Sequence, residues 1–118
     1  MRKSIQVLGD LVGEEISGIA FVRDYVEFHF DGPILRSIAK PKVTSERVTH
    51  TFPGRGSRDA LCLAIGSKVE RLDLAEGKHL TISLSNGQKI TIPLDIQSQI
   101  QGESMHFLVG PNTPLEVW

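Results

Sequence analysis

Two stretches of this chain carry the same order of apolar segments and glycines, and this repeat constrains the fold more than any other feature. Each stretch runs from an apolar segment that ends in Gly, through two alternating strand patterns, to an Asx-Gly turn: residues 11–32 and 64–87. An offset of 53 residues aligns two glycines and three apolar pairs: Gly13, Ile16, Ile19 and Phe21 with Gly66, Val69, Leu72 and Leu74. We interpret the pattern as a structural duplication of approximately residues 5–40 and 58–95. Such a unit exposes an apolar face when alone, so the two copies are expected to pack together.

Within each copy the apolar residues change to a period of two, as residues 26–30 do most clearly. This period predicts strands with one buried and one exposed face, and the Asp-Gly and Asn-Gly turns are typical of antiparallel hairpins. The predicted strands are about 15–23, 25–31 and 34–39, then 68–75, 79–85 and 88–95. In the third strand, Ile34 and Ile38 compete with Leu35 for the buried face, because a shift of one residue exchanges the two sets.

A short helix is expected before each copy of the strand pattern, ending at a glycine of the repeat. Apolar residues three and four apart predict the first over residues 4–12, with Ser4 as its N-cap. The second is expected over residues 57–66, with Ser57 as its N-cap and three inward side chains: Leu61, Ala64 and Ile65.

The predicted fold is β-dominant, either all-β or α+β. It has two related three-stranded antiparallel meanders, each preceded by a short helix and packed as a sandwich or a partly open barrel. Residues 40–58 interrupt the repeat as a long loop, within which residues 46–52 form a short edge strand. Residues 97–104 are expected to be a loop, and residues 105–109 and 115–118 to be short strands.

Composition and charge indicate one soluble domain. The chain has 118 residues, 40% of them hydrophobic, and a net charge of −1, which gives no overall attraction to nucleic acid or membrane. Its longest apolar run, residues 60–65, is far shorter than the roughly 20 residues that span a bilayer. No secretory signal pattern follows Met1, and the single Cys62 excludes an intramolecular disulfide. We therefore expect a cytoplasmic protein, and no motif indicates a cofactor.

Three segments together resemble a family of small uncharacterised bacterial single-domain proteins. They are residues 21–32 (FVRDYVEFHFDG), 59–66 (DALCLAIG) and 115–118 (LEVW), and the resemblance covers nearly the whole chain. It implies a bacterial, single-domain, β-rich protein. No assigned activity and no functional residue come with it.

The loop of residues 40–58 is the first candidate site, because it holds five basic residues and one acidic residue. It leads into the predicted second helix, and free N–H groups at a helix N-terminus favour anions. The residues expected to bind an anion or an acidic partner are Arg47, Arg55, Ser57 and Arg58. The alternative is a solvated loop in which Ser57 acts only as a cap.

The second candidate is a polar cluster on the outer face of a strand, formed by Glu27, His29 and Asp31. Residues two apart on one face of a strand can share a proton or a metal ion, and Asp24, His50 and His106 could join if the fold brought them close. Zn²⁺ needs three or four ligands, which this spacing does not supply. The alternative is an ordinary exposed histidine beside carboxylates.

Three other residues have structural interpretations. Cys62, between two leucines, is expected to be a small buried hydrophobic residue. Tyr25 and Trp118 could anchor an interface, and Trp118 could instead close the core from the C-terminus.

These patterns favour a small binding or interaction module for an unknown protein partner or small anion, and exposed sheet edges would allow a homodimer. An immunity-type or regulatory protein is one version of this function. Binding of nucleic acid or membrane is not expected. The alternative is a small metal-dependent or acid/base enzyme that uses His29 with Glu27 and Asp31.

Overall fold

Residues 8–110 and 115–118 are described by a computed structural model, and in this part of the chain ten β strands form two antiparallel sheets. The strands are β1 Gly18–Val22, β2 Tyr25–His29, β3 Ile34–Ser37, β4 Lys42–Ser45, β5 Val48–Thr51, β6 Val69–Ala75, β7 His79–Leu84, β8 Lys89–Pro93, β9 Met105–Leu108 and β10 Glu116–Val117. The order is β1-β2-β3-β9-β10 in the first sheet and β5-β4-β8-β7-β6 in the second. The prediction of a β-dominant fold is confirmed.

The inward residues of both sheets form one core, as their period of two requires. Phe28, Leu35 and Phe107 of the first sheet and Ile82 and Ile90 of the second are each at most 1% exposed. They belong to a single hydrophobic cluster, so the sheets pack face to face as a sandwich. The position of Leu35 also settles the register of β3, since Ile34 and Ile38 are only partly buried.

Each half of the chain contributes strands to both sheets. Strands β1 to β3 lie in the first sheet, but the β4–β5 hairpin that follows pairs with β8 in the second. In the same way β6 to β8 lie in the second sheet, and β9 pairs with β3 in the first. The first half of the chain is β1 to β5 and the second half is β6 to β10. Each half therefore places its last two strands, the β4–β5 or the β9–β10 hairpin, in the sheet of the other half, and we call these the exchanged hairpins.

The segments just before β1 and β6 pair with each other and join the two sheets at one corner. The Gly13 N–H donates to the Val69 carbonyl at 2.7 Å, and the Gly66 N–H donates to the Ile16 carbonyl at 2.8 Å. The offset of the sequence repeat maps Gly13 onto Gly66 and Ile16 onto Val69, so the two bonds occupy equivalent positions in the two copies. Gly13 and Gly66 have φ of +91° and +92°, a conformation that costs glycine little.

Corresponding strands also pair in the same register. Ile19 faces Phe28 in the first sheet, as Leu72 faces Ile82 in the second. The correspondence between the two sheets extends to the exchanged hairpins, since β9 pairs with β3 as β4 pairs with β8. Across the outer faces, the facing residues in order are Glu27, Arg36, His106 and Val117 in the first sheet, and Thr81, Thr91, Lys42 and Thr51 in the second.

The two predicted helices differ from the structure. Ser4 and residues 1–7 lie outside the described residues, and the rest of the first predicted helix contains a short 3₁₀ turn, Gly9–Leu11. The second is α1, Ser57–Cys62, whose N-cap is Gly56 rather than Ser57. It ends four residues before Gly66 because i to i−3 turns follow it, and Ile65 is 45% exposed instead of inward.

The prediction of a loop within residues 40–58 was wrong for residues 42–45, which form β4, the first strand of the β4–β5 hairpin. The sharp turn at Glu46 and Arg47 joins the strands, and Val43 is buried at the centre of β4. β5 is an edge strand, as expected for residues 46–52. The short strands predicted near residues 105–109 and 115–118 are present as β9 and β10.

Among the described residues, no helix combines the length and apolar character that crossing a bilayer requires.

Candidate functional site

A chain of hydrogen-bonded polar side chains, here called the polar network, crosses the outer face of the first sheet. It consists of His29, Glu27, Arg36, His106 and Glu103. Glu27 accepts through both carboxylate oxygens: Oε1 lies 3.1 Å from His29 Nε2, and Oε2 lies 2.9 Å from Arg36 Nε. The alternation of β2 places Glu27 and His29 on one face, and β3 brings Arg36 directly opposite Glu27.

The network continues from Arg36 to the exchanged hairpin. Arg36 Nη1 lies 3.2 Å from His106 Nδ1, and His106 Nε2 lies 2.7 Å from Glu103 Oε1. Arginine has no acceptor, so His106 Nδ1 accepts and its Nε2 carries the proton donated to Glu103. The guanidinium carbon of Arg36 also lies 5.5 Å from the centre of the Tyr25 ring. Tyr25 is thus a partner of the network.

Two opposing effects act on the pKa of Glu27. Burial of the carboxyl raises the pKa, but the hydrogen bonds from Arg36 and His29, together with their positive charges, lower it more. The pKa lies below its ordinary value of 4.5, so Glu27 is a carboxylate at neutral pH.

We expect Glu27→Gln to destabilise the protein by roughly 1–3 kcal/mol at pH 7, because charge-assisted hydrogen bonds are lost. A depressed folded-state pKa contributes stability above the unfolded-state pKa, and that contribution disappears as the pH falls through the folded-state pKa. The difference between wild type and variant should therefore shrink below a pH near 4.5. Urea unfolding at a series of pH values measures this difference. Glu70→Gln, which changes an exposed carboxylate, is the matched control, and a Glu27→Gln difference that stays constant from neutral to acid pH would contradict the assignment.

Other acidic and histidine candidates lie away from the network. Asp31 is in the turn after β2, where its N–H donates to Ser17 Oγ at 3.1 Å. No hydrogen bond or ion pair among the described residues joins the Asp31 carboxylate to His29. His50 lies in β5 of the second sheet, and Asp24 lies in the exposed β1–β2 turn. Of the three further residues that the sequence offered as additions to the cluster, Asp24, His50 and His106, the structure connects only His106, through Arg36.

The structure does not bring the four candidate residues of the basic stretch together. Arg47 is in the β4–β5 turn, whereas Arg55 follows the other end of β5, so roughly 13 Å of strand separates them. Arg58 stacks over Phe52, with its guanidinium carbon 5.0 Å from the ring centre. Ser57 is fully buried, and its hydroxyl donates to the Gly54 carbonyl at 2.6 Å. Ser57 is the first residue of α1, one position after the N-cap, and its hydroxyl bonds back to the turn that precedes the helix.

Two single-residue predictions have different outcomes. Cys62 is exposed, contrary to the prediction that it is buried, because Leu61 and Ala64 occupy the core side of this turn. Trp118 packs partly buried against the core. The backbone N–H of Trp118 donates to the Met105 carbonyl, as the backbone N–H of Phe52 donates to the Pro41 carbonyl in the other half.

A groove with a volume of about 470 Å³ lies at the end of the second sheet, where both crossovers between the sheets meet. We call it the lysine groove. Part of its wall is formed by Lys40, Lys42 and Thr51, from the first crossover and the β4–β5 hairpin. The rest of the lining is Pro93 of β8, Asp95 and residues 97–100. Asp95 accepts a hydrogen bond from the Ser98 hydroxyl at 2.8 Å, which holds this part of the lining in a 3₁₀ turn, Ile96–Ser98.

The two crossovers differ in length, and the groove depends on that difference. The first, from β3 to β4, is residues 38–41, and the second, from β8 to β9, is residues 94–104. They touch where the N–H groups of Ile38 and Ala39 donate to the Ser104 carbonyl at 2.8 and 2.9 Å. The longer crossover supplies Asp95 and residues 97–100 to the lining of the groove.

Sequence reasoning missed Arg36 and Glu103 in the network and residues 97–100 in the groove. None of the four residues proposed from sequence for anion binding lines the groove, although Lys40 and Lys42 lie in the same basic stretch. A local signal existed for Arg36, because a two-residue turn at residues 31–32 places it opposite Glu27. Glu103 and residues 97–100 reach their positions through pairing between the two halves, for which the sequence contains no comparable local signal.

The fold and these sites define a two-sheet β-sandwich with a closed polar network on one outer face and a lysine-lined groove at the end of the other sheet. No known protein family, curated protein or solved structure matches the chain. Among the described residues, no group of three His, Cys, Asp or Glu side chains could hold a metal ion.

Proposed function

We propose that this protein is a binding module that holds a small anionic ligand in the lysine groove. The observation that carries this proposal is the placement of Lys40 and Lys42 on one wall of a concave site of about 470 Å³. Ligand sites are typically concave, at least about 300 Å³ in volume, and contain a few convergent polar groups.

The charge and hydrogen-bonding groups of the groove support an anionic ligand. The lining holds two ammonium groups and one carboxylate, Asp95, which already accepts a bond from Ser98. Among the described residues, neither lysine has a hydrogen-bond or ion-pair partner. Gln97 and Gln99 add amide donors and acceptors to the lining. A phosphate or carboxylate in the groove could therefore accept hydrogen bonds from both lysines and from the amides.

The polar network supports an enzyme less well. A general base needs an accessible lone pair near its substrate, but both Glu27 oxygens already accept hydrogen bonds from Arg36 and His29. Its pKa is lowered, whereas an acid/base catalyst at neutral pH would have a raised one.

The repeat supports the choice of the groove as the site. We propose that the chain arose by duplication of a unit of three strands followed by a hairpin, since hydrogen bonds and registers correspond between the halves. Folding alone accounts for features that the halves share. The 94–104 crossover is a feature they do not share, and it builds the groove. We place the module in the cytoplasm, with a regulatory or immunity-type role in a bacterium as one setting.

We expect inorganic phosphate or citrate at millimolar concentration and low ionic strength to raise the Tm by about 5 °C or more, because a ligand present at many times its Kd stabilises the folded state. A thermal unfolding series against ligand concentration measures the effect. The double variant Lys40→Met/Lys42→Met should abolish the rise.

Lys68→Met/Lys89→Met is the charge-matched control, since both of these lysines are exposed and lie outside the groove. It should keep the full rise in Tm. An equal rise in both double variants, or no rise in the wild type, would refute the proposal.

A further inference from the structure

Lys42 and Thr51, which line the lysine groove, belong to a row of polar side chains that crosses the outer face of the second sheet. Thr81 of β7 faces Thr91 of β8, which faces Lys42 of β4, which faces Thr51 of β5. Side chains directly opposite each other on antiparallel strands are about 5 Å apart. The row therefore presents three hydroxyls and an ammonium group in a line, and Lys42 and Thr51 also line the groove.

The corresponding row of the first sheet shows what is unusual about this one. There Glu27, Arg36 and His106 occupy the same register positions and bind one another at 2.9 and 3.2 Å. In the second sheet no described residue forms a hydrogen bond with the side chain of Thr91 or Lys42. The first row is internally satisfied. In the second row Thr81 Oγ1 lies 3.3 Å from His79 Nδ1, while Thr91 and Lys42 have donors and acceptors available to a ligand.

We propose that the lysine groove and the threonine row together form one site for an anionic polyol, such as a phosphorylated or carboxylated sugar. This inference rests on the proposed function. The anionic group lies between Lys40 and Lys42, and hydroxyls of the ligand bond to Thr91 and Thr81. A threonine hydroxyl both donates and accepts, so it matches a ligand hydroxyl of either polarity.

The residues of this face favour a polyol over a nucleotide as the ligand. Proteins that hold nucleobases stack them on aromatic side chains or arginine. The outward residues of β7, β8, β4 and β5 in these rows are threonine, serine and lysine, with Pro93 and His79 at one end. The arginine at the β6 edge of these rows, Arg71, is paired with Asp73 at 3.0 Å. The face is built for hydroxyls and charge.

The test is calorimetric titration of the full chain with four probes: gluconate, glycerol phosphate, acetate and inorganic phosphate. Each polyol anion is expected to bind at least about fivefold more tightly than the simple anion that carries the same charged group, because one further hydrogen bond contributes about 1 kcal/mol. Thr91→Val should remove most of this advantage and leave the affinity for inorganic phosphate unchanged.

Thr44→Val is the matched control. The Thr44 hydroxyl lies on the same face but in the next row, where it is already bonded to Thr49 at 2.9 Å. This variant should keep the preference for polyols. Tight gluconate binding alone identifies a sugar acid, and tight glycerol phosphate binding alone identifies a polyol phosphate.

Two results would overturn the inference. If the polyol anions bind no more tightly than acetate and phosphate, the threonine row has no role and only the proposed anion site remains. If Thr91→Val keeps the full preference, the hydroxyls of the ligand bind elsewhere. Failure of all four probes would instead refute the proposed function itself.

Discussion

Cleavage of the backbone between β5 and α1 is expected to leave the two pieces assembled in one folded particle. The experiment inserts a specific protease site between Arg55 and Gly56, in an exposed stretch that should tolerate it. After cleavage, β3 still pairs with β9 over four residues and β4 with β8 over three, and both pieces contribute to one core. Gel filtration should show both fragments in one peak, with the circular dichroism of the uncut protein.

The uncut protein with the same insertion is the control. Its Tm should not depend on concentration, whereas the Tm of the cleaved sample should rise with concentration because unfolding now separates two chains. Urea should release the fragments. Separation of the fragments without denaturant would show that the exchanged hairpins do not hold the halves together.

Truncation of one aromatic side chain in the core should have the largest effect of any single substitution considered. Phe28 is fully buried in the first sheet, and Phe28→Ala is expected to cost about 3–5 kcal/mol. That is a large fraction of the roughly 5–15 kcal/mol that stabilises a typical domain. Ile82→Ala at the corresponding position of the second sheet should cost about 2–5 kcal/mol.

Both variants should lower the midpoint of one shared unfolding transition in urea, followed by fluorescence and circular dichroism. His29→Ala, on the outer face of the same strand as Phe28, is the control and should cost no more than about 1 kcal/mol. Two separate transitions, one for each sheet, would contradict a common core.

Local patterns were sufficient to predict most of the strands and the residues they bury. The alternation around Phe28 and Ile82 identified the inward faces, because a period of two leaves one choice of face once the apolar set is known. The Asp31-Gly32 turn placed β2 beside β3, because a two-residue turn pairs the strands on either side of it. Leu35 could not be assigned in advance, since apolar residues flank the buried position on β3.

Strand β4 was missed because its local signal is weak. Val43 is the single large apolar residue among Lys42–Ser45, and the turn that follows has no glycine. Glu46 adopts φ of +56° there, a conformation that sequence patterns assign to Gly, Asn or Asp. Pairing with β8 and burial of Val43 in the core between the sheets, rather than propensity, decide the structure of this segment.

The candidate sites were the least predictable part of the molecule. His106 joins the polar network because β9 pairs with β3, and the sequence contains no marker for that pairing. The lysine groove likewise depends on two crossovers that meet in space although they are far apart in the chain. Glu27 and His29 could be placed side by side from the sequence, because residues two apart on one strand share a face.

The exchanged hairpins also determine the order in which this protein can fold during synthesis. Ile34 of β3 pairs with Leu108, far along the chain, so the open edge of β3 has no partner until β9 has left the ribosome. Contacts so distant in sequence close late, and an unpaired strand edge can pair with another chain. The nascent first half therefore depends on the second half both to complete its sheet and to keep it from aggregating.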